Sequence, residues 1–322
     1  MSLITSRSAK QPLLKPLALA NGTIPSRDLK ASRRFYEEVL GLEVTDHDPD
    51  GLIIRLGGDH TYLVEQAGDD VPGMVLLNHN GLFLDAGEGV DDAYAKLTAA
   101  ARDYDIRQLT KPMYQHGSYA FFMLDADLNW WEFYHPAAGP RLDLTDGPQM
   151  TADEVRAWFQ ARRERDEAAT RSSAGVAPTT GNGQVGRGLL RTSMLSHGTV
   201  ESLDLHASRR FYEEVLGLNV RQLVPVSIHF DLGDGYMYAA VHAPGASGKM
   251  PVSYRNALLF SSAHEIDDAY SKVVQVQDEY GLSDIGRPAE AGDRYAFSLR
   301  DRDGNVWELA FDVHGGYHRP VR

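Results

Sequence analysis

Along this chain, apolar positions alternate with period two, switch to a helical spacing and return to period two, and the whole succession recurs. A short extended run, NGTIPS at 21–26 or HGTVES at 197–202, leads into ASRRFYEEVLGL, which occurs letter for letter at 31–42 and 207–218. Within it Phe35, Val39 and Leu40, like Phe211, Val215 and Leu216, fall on one helical face, and Gly41 or Gly217 suits the C-terminal stop. Extended segments follow, LIIRLGG and TYLVEQ in the first copy, IHFDLGD and MYAAVH in the second. The order then restarts with a strand (NGLFLD or NALLFS), a helix near VDDAYAKL or IDDAYSKV, and two strands ending in NWWEFY or NVWELA. Each copy therefore predicts two βαβββ modules, an α+β arrangement in which helices cover one face of a curved mixed sheet around a cleft.

The copies align at one offset without a gap: Asn21 falls on His197, Asn80 on Asn256 and Glu132 on Glu308, a separation of 176 residues (197 − 21). A duplicated domain explains this, and the period is too long for a solenoid. The expected organisation is an N-terminal arm (1–16), a first domain (17–140), a linker (141–190), a second domain (191–316) and a tail (317–322). In the linker, TADEVRAWFQARRERDEAAT predicts one amphipathic helix, with Thr151 and Glu154 spaced as a capping box and Val155, Trp158 and Phe159 as its apolar stripe. The Gly-, Ser-, Thr- and Pro-rich SSAGVAPTTGNGQVGRG reads as a flexible connector.

The 322 residues suffice for two domains that each bury a core. There is no cysteine, which excludes thiolate nucleophiles and Cys-ligated metals and agrees with a reducing, cytoplasmic setting. The N-terminal stretch breaks its apolar run with Lys and Pro, unlike a signal peptide, and no transmembrane run is present. A formal net charge of −13 repels phosphate backbones and anionic lipid, so nucleic acid and membrane are not expected partners. A small molecule is, with the chain a monomer or homodimer.

The run HGTVESLDLHASRRFYEEVLGL, the strand opening at Asn256 and DRDGNVWEL together resemble the vicinal oxygen chelate superfamily. That superfamily includes glyoxalase I, extradiol ring-cleaving dioxygenases, epimerases, fosfomycin-resistance transferases and bleomycin-binding proteins. The resemblance covers nearly all of both halves and implies tandem vicinal oxygen chelate domains. It also implies a divalent metal in a cleft, held by the first strand of each module and the Glu of the final strand. Carried over by position, the second domain offers His197, Asn256 and Glu308, and the first offers Asn21, Asn80 and Glu132. His197, Asn256 and Glu308 leave open positions for water and two substrate oxygens, and such an ion stabilises an enolate or a catecholate.

Extradiol enzymes resemble a two-His, one-carboxylate triad, and Asn256 in the second His position moves the preference from Fe(II) toward Mn, Mg or Ni. His229, in the alternating run SIHFDLG opposite Ile228 and Phe230, and Tyr295 are the candidates for proton transfer, with His242 a further spare imidazole. In the first domain the equivalent set lacks imidazole, Trp130 and Tyr134 are expected to fill the cleft face, and Leu128 stands where Gly304 suits a positive-φ turn. The first domain is thus expected to support the second. His116 and Tyr119 become relevant only if modules pair across domains.

The implied function is a divalent-metal-dependent enzyme resembling extradiol dioxygenases, using Fe(II) or Mn(II) on a catechol-like or other vicinal-oxygen substrate, aromatic in character. The alternatives on the same fold are a glyoxalase-like lyase or epimerase with Ni, Zn or Mg, and a metal-free protein that binds an aromatic compound or antibiotic.

Overall fold

The computed structural model describes residues 6–135 and 188–312 apart from short breaks (17, 48–50, 56–60, 85–88, 116–117, 191, 233–236, 244, 246–248 and 293), with scattered positions between 153 and 164; for 18–21 and 192–197 the description is of the backbone. The expected linker helix and connector lie largely outside the described residues, as does the tail. Among the described residues, no helix is long and apolar enough to cross a membrane.

Four βαβββ modules follow one another. The first comprises β1 (Ala18–Ser26), α1 (Leu29–Glu38), β2 (Glu43–His47), β3 (Gly51–Arg55) and β4 (Thr61–Gln66). The second comprises β5 (Asn80–Leu84), α2 (Val90–Ala100), the short β6 (Gln108–Leu109) and β7 (Met113–Gln115), β8 (Ser118–Leu124) and β9 (Trp130–His135). The third has β10 (Thr192–Ser202), α3 (Leu205–Arg210) running into a π-helical turn (Phe211–Val215), β11 (Asn219–Val224), β12 (Ser227–Asp231) and β13 (Met237–His242). The fourth has β14 (Arg255–Phe260), α4 (Ala263–Tyr280), β15 (Ala289–Ala291), β16 (Arg294–Arg300) and β17 (Val306–Asp312).

The helix starts and stops follow from local chemistry. Asp28 and Asp204 cap α1 and α3 by accepting from two backbone N–H groups each, and Gly41 and Gly217 take the left-handed φ values of 69° and 73° that end the shared helical sequence.

The modules pair across the halves. The first sheet has the order β15-β16-β17-β14-β1-β4-β3-β2 and joins the fourth module to the first. The second has the order β11-β12-β13-β10-β5-β9-β8-β6, with β7 on β8, and joins the third module to the second. The central contacts, β1 with β14 and β10 with β5, are antiparallel. β1 and β14 come so close at Gly22 that a Cβ there would meet the Arg255 carbonyl oxygen at 1.8 Å. By contrast, each large apolar core belongs almost wholly to one half, between the helix-covered faces of its two modules. Each sheet therefore spans both halves, while each core lies in one.

Two devices reinforce this weave. The segment ahead of each half's first strand crosses to the other half: Leu13 and Leu14 N–H donate to the Glu214 and Val215 carbonyls (2.7 and 3.0 Å), and Leu189 and Leu190 to those of Glu38 and Val39 (2.6 and 3.0 Å). Within each half, the turns DADLN and DRDGN tie the last strand to the first helix. Asp301 accepts from the Asp303 and Asn305 N–H groups (3.0 and 2.9 Å) and from Trp307 Nε1 (3.1 Å), and Asp303 accepts from Leu203 N–H and the Ser208 hydroxyl. Asp125 and Asp127 repeat the pattern with Asn129, Trp131, Arg27 and Ser32. Burial pushes Asp125 and Asp301 up to about 7. Leu128 keeps the turn by adopting a left-handed φ of 68°, where Gly304 has 93°.

Candidate functional site

Register partners on neighbouring strands share a face of a sheet, because side chains alternate with period two. Asn256 is in register with Trp307, and Ala257 with Glu308. Trp307 is fully buried in the second-half core, so Asn256 belongs to the core-side face, where its Nδ2 donates to the Val306 carbonyl (3.2 Å). Glu308 stands on the opposite, cleft face. His197 lies in β10 of the other sheet. The expected set of His197, Asn256 and Glu308 is thus not brought together: two of its members are on opposite faces of one sheet and the third is in another.

The proton-transfer candidates separate in the same way. Tyr295 shares a face with Phe297 and Leu299 against the core, not with the cleft residues, and its hydroxyl donates to Asp267 on α4 (2.8 Å); that bond raises its pKa. Tyr119 makes the equivalent bond to Asp91 on α2 (2.8 Å) and, through burial and that bond, is pushed up to about 12. His229 does take the cleft face of the second sheet, in register with Ala239, which is in register with Thr199. His242 has the parity of Tyr238 and Ala240, which face the core. His116 lies outside the described residues.

In the first sheet, the cleft is closed by charge pairing. Glu308 Oε1 accepts from Arg294 Nη1 (2.9 Å) and its Oε2 lies 3.0 Å from Arg255 Nε. Glu65 Oε2 accepts from Arg255 Nη2 (2.6 Å) and its Oε1 from Arg294 Nη2 (2.9 Å). Burial works against the Glu65 carboxylate, and the two guanidiniums more than offset it, leaving its pKa below the ordinary value. All four carboxylate oxygens are engaged, and Ile53, Leu63, Ala257, Leu259 and Ala310 form an aliphatic cluster on the same face. These residues do not fit a metal ion.

The second cleft carries the same positions with different side chains. At the offset of 176 residues (255 − 79), His79 replaces Arg255, Ser118 replaces Arg294 and Glu132 replaces Glu308. His79 Nδ1 lies 2.8 Å from the Leu76 carbonyl, which can only accept, so Nδ1 carries a proton. In the neutral ring Nε2 then holds the lone pair; it lies 3.1 Å from the Thr199 hydroxyl and 3.5 Å from Glu132 Oε2. Both side chains are buried, His79 at 8% exposure and Glu132 at 6%. One cross-strand row runs Phe122, Glu132, Gly81 and His197, so a glycine alone separates the backbone positions of Glu132 and His197. The Phe122 ring meets that of His79 edge-on at 4.8 Å, and Phe83 and Tyr134 pack at 4.7 Å on the same face.

A lone-pair nitrogen facing a carboxylate oxygen at 3.5 Å suits a shared cation, since ligand bonds of about 2.0–2.2 Å at near right angles place two donors about 3 Å apart. Among the described residues no cluster of three or more His, Cys, Asp or Glu is placed to hold a metal. His79 and Glu132 are therefore a two-donor nucleus that fits a divalent ion, with the backbone of His197 in the adjoining strand. His79 was not among the candidates drawn from the sequence. The signal that finds it is the repeat itself, which sets HN at 79–80 against RN at 255–256.

The fold is similar to that of glyoxalase I from Zea mays, at 15% identity over 92% of each chain and a TM-score of 0.55. It is also similar to a putative dioxygenase from Bacillus subtilis, at 14% identity over 96% of this chain and 88% of that one, with a TM-score of 0.55. No curated protein matches the sequence. The sequence profile of one superfamily matches residues 18–133 and, a second time, 195–309. Those two segments cover the four modules from β1 to β9 and from β10 into β17, and on them the chain belongs to the Glyoxalase/Bleomycin resistance protein/Dioxygenase superfamily.

Proposed function

We infer that the protein is a divalent-metal-dependent enzyme whose centre lies in the cleft of the second sheet, held by His79 and Glu132, with His197 assigned as third ligand from its backbone position in the adjoining strand, and whose substrate binds through two adjacent oxygens. The observation that carries this reading is the 3.5 Å approach of His79 Nε2 to the Glu132 carboxylate, in the one of two equivalent clefts that lacks the arginine pair. Two imidazoles and one carboxylate are the donor type that the family resemblance associates with extradiol dioxygenases, which favours Fe(II) or Mn(II) and a catechol-like ring. A bound ion would supply Lewis-acid polarisation of the substrate oxygens.

The chain's own residues supply the rest. The Leu76 carbonyl fixes the His79 tautomer, as an outer partner does for a metal-binding imidazole. The Thr199 hydroxyl lies 3.1 Å from the same Nε2, so a bound ion would take the lone pair in place of that contact. Phe83, Phe122 and Tyr134 give the cleft an aromatic wall against which a flat ring packs and from which water is excluded. His229, in the row with Thr199 and Ala239, offers a polar contact for the far end of the substrate.

Protein loaded anaerobically with Fe(II) or Mn(II) and mixed with a panel of catechols in an oxygen electrode tests this. Uptake of oxygen that disappears in Glu132→Gln and His79→Ala is the expected result. Metal-loaded protein that consumes no oxygen with any catechol would contradict the dioxygenase assignment.

A further inference from the structure

The second cleft holds a carboxylate that the centre described above leaves unused. Glu201 lies on β10 two residues beyond Thr199, on the same face, in register with Val241 of β13. It is 9% exposed. Among the described residues its carboxylate has no hydrogen-bond or ion-pair partner, and burial alone raises its pKa.

The duplication shows what is unusual about it. At the equivalent pair in the first sheet, Pro25 on β1 is in register with Glu65 on β4, and Glu65 is held between two guanidiniums. In the second sheet the pair is Glu201 and Val241, so the carboxylate has moved one strand inward, from the strand beyond β10 to β10 itself, next to β5. Both guanidiniums are replaced, by His79 and Ser118. A largely buried side chain whose carboxylate lacks a counter-charge is costly to a fold, and groups of this kind concentrate where protons are exchanged.

Position supports the same role. Residues two apart on a strand are about 6.6 Å apart, and the Thr199 hydroxyl is 3.1 Å from His79 Nε2. Glu201 is therefore close to the His79 side of the cleft. Among the described residues it forms no metal-holding cluster with His79 and Glu132, so it is not counted among the residues that would hold an ion. The other titratable groups on that face are His79, Glu132 and His229, with His197 at the same parity of β10 and Arg221 paired to Asp231 at the outer edge.

We propose that Glu201 is the proton acceptor for the substrate hydroxyl in the second cleft. The hydroxyl O–H bond breaks, its electron pair stays on the substrate oxygen, and the proton goes to a Glu201 carboxylate oxygen. This rests on the reading that the cleft takes a substrate with adjacent oxygens.

The test uses the full chain loaded with Mn(II) and 4-nitrocatechol as the probe, titrated by calorimetry at mildly alkaline pH in two buffers of different ionisation enthalpy, which counts the protons exchanged on binding. Glu201→Gln, which preserves shape, should release about one more proton to the buffer per probe bound than the unaltered protein. Its Mn(II) content should be unchanged, and Glu201→Asp should return toward the unaltered count. Equal proton counts with binding intact would overturn the assignment, and so would loss of Mn(II) from Glu201→Gln, which would make the residue a ligand. If the unaltered, Mn(II)-loaded protein fails to bind the probe, the vicinal-oxygen reading falls and this proposal falls with it.

Discussion

The two clefts are built from equivalent strands of a duplicated sequence, and side chains at two equivalent positions separate their chemistry. In the first, Arg255 and Arg294 give every carboxylate oxygen of Glu65 and Glu308 a positively charged partner. In the second, His79 and Ser118 occupy the arginine positions, and Glu132 faces an imidazole across 3.5 Å. The shared fold presents the same positions twice, and those side chains decide whether a cleft is sealed by charge or, on the function proposed above, open to an ion. The sealed one also has a mechanical consequence: Glu65 comes from the first half and its three partners from the second, so the charge ring fastens the halves across β1 and β14.

The largest expected effect comes from breaking that ring. Arg294→Met leaves the buried Glu308 and the part-exposed Glu65 each short of a charged donor, and urea unfolding should show a loss of about 2–3 kcal/mol, below the range for a fully buried pair. Replacing all four members together by apolar residues of similar volume should recover most of it, since the cost lies in the unpaired charge. A ring that merely decorates the surface would give little change in either case.

The two arms differ in the same way as the clefts. The arm ahead of the first half docks beside the largely buried Glu214, whereas the one ahead of the second half docks beside the exposed Glu38. Burial opposes the Glu214 carboxylate, but hydrogen bonds from Arg210, Ser8 and Tyr280 and the Arg210 charge prevail and hold it down to about 2, below the ordinary value of 4.5. A carboxyl whose folded pKa is depressed adds stability above its unfolded pKa and loses it as pH falls through the folded one. Thermal midpoints of the unaltered protein and Glu214→Gln should therefore differ at pH 6 and converge between pH 4.5 and 2. A difference that persists to pH 2 would contradict the assigned anchor.

The smallest effect concerns the matched turns. Leu128→Gly relieves a left-handed φ that Gly304 adopts without strain, and denaturant melts should show a gain of up to about 1 kcal/mol. No gain would mean that the Leu128 side chain contributes as much as its backbone costs.

Local features were legible in the sequence because they depend on local chemistry. The period changes and the Gly41 and Gly217 stops lie where the pattern places them, and the Asp28 and Asp204 caps, which the pattern did not single out, obey the same local chemistry. Pairing was not legible. β5 and β14 are copies, NGLFL and NALLF within the repeat, and offer β1 nearly the same edge, so nothing local selects the partner from the other half. Face parity was legible only in part: Asn256 shares alternation with Leu258 and Phe260, but that this face is the core one emerges from its register with Trp307. For Tyr295 the signal was present, since Phe297 and Leu299 mark its face as apolar. His79 escaped because it lies one residue ahead of its strand, where only comparison with Arg255 sets it apart.

The metal content of the purified protein, measured by mass spectrometry beside Glu132→Gln and Glu308→Gln, tests the central claim most directly. Near-stoichiometric metal in the unaltered protein and in Glu308→Gln, with none in Glu132→Gln, is the predicted result. Metal lost from Glu308→Gln and kept in Glu132→Gln would place the centre in the first sheet and contradict the account.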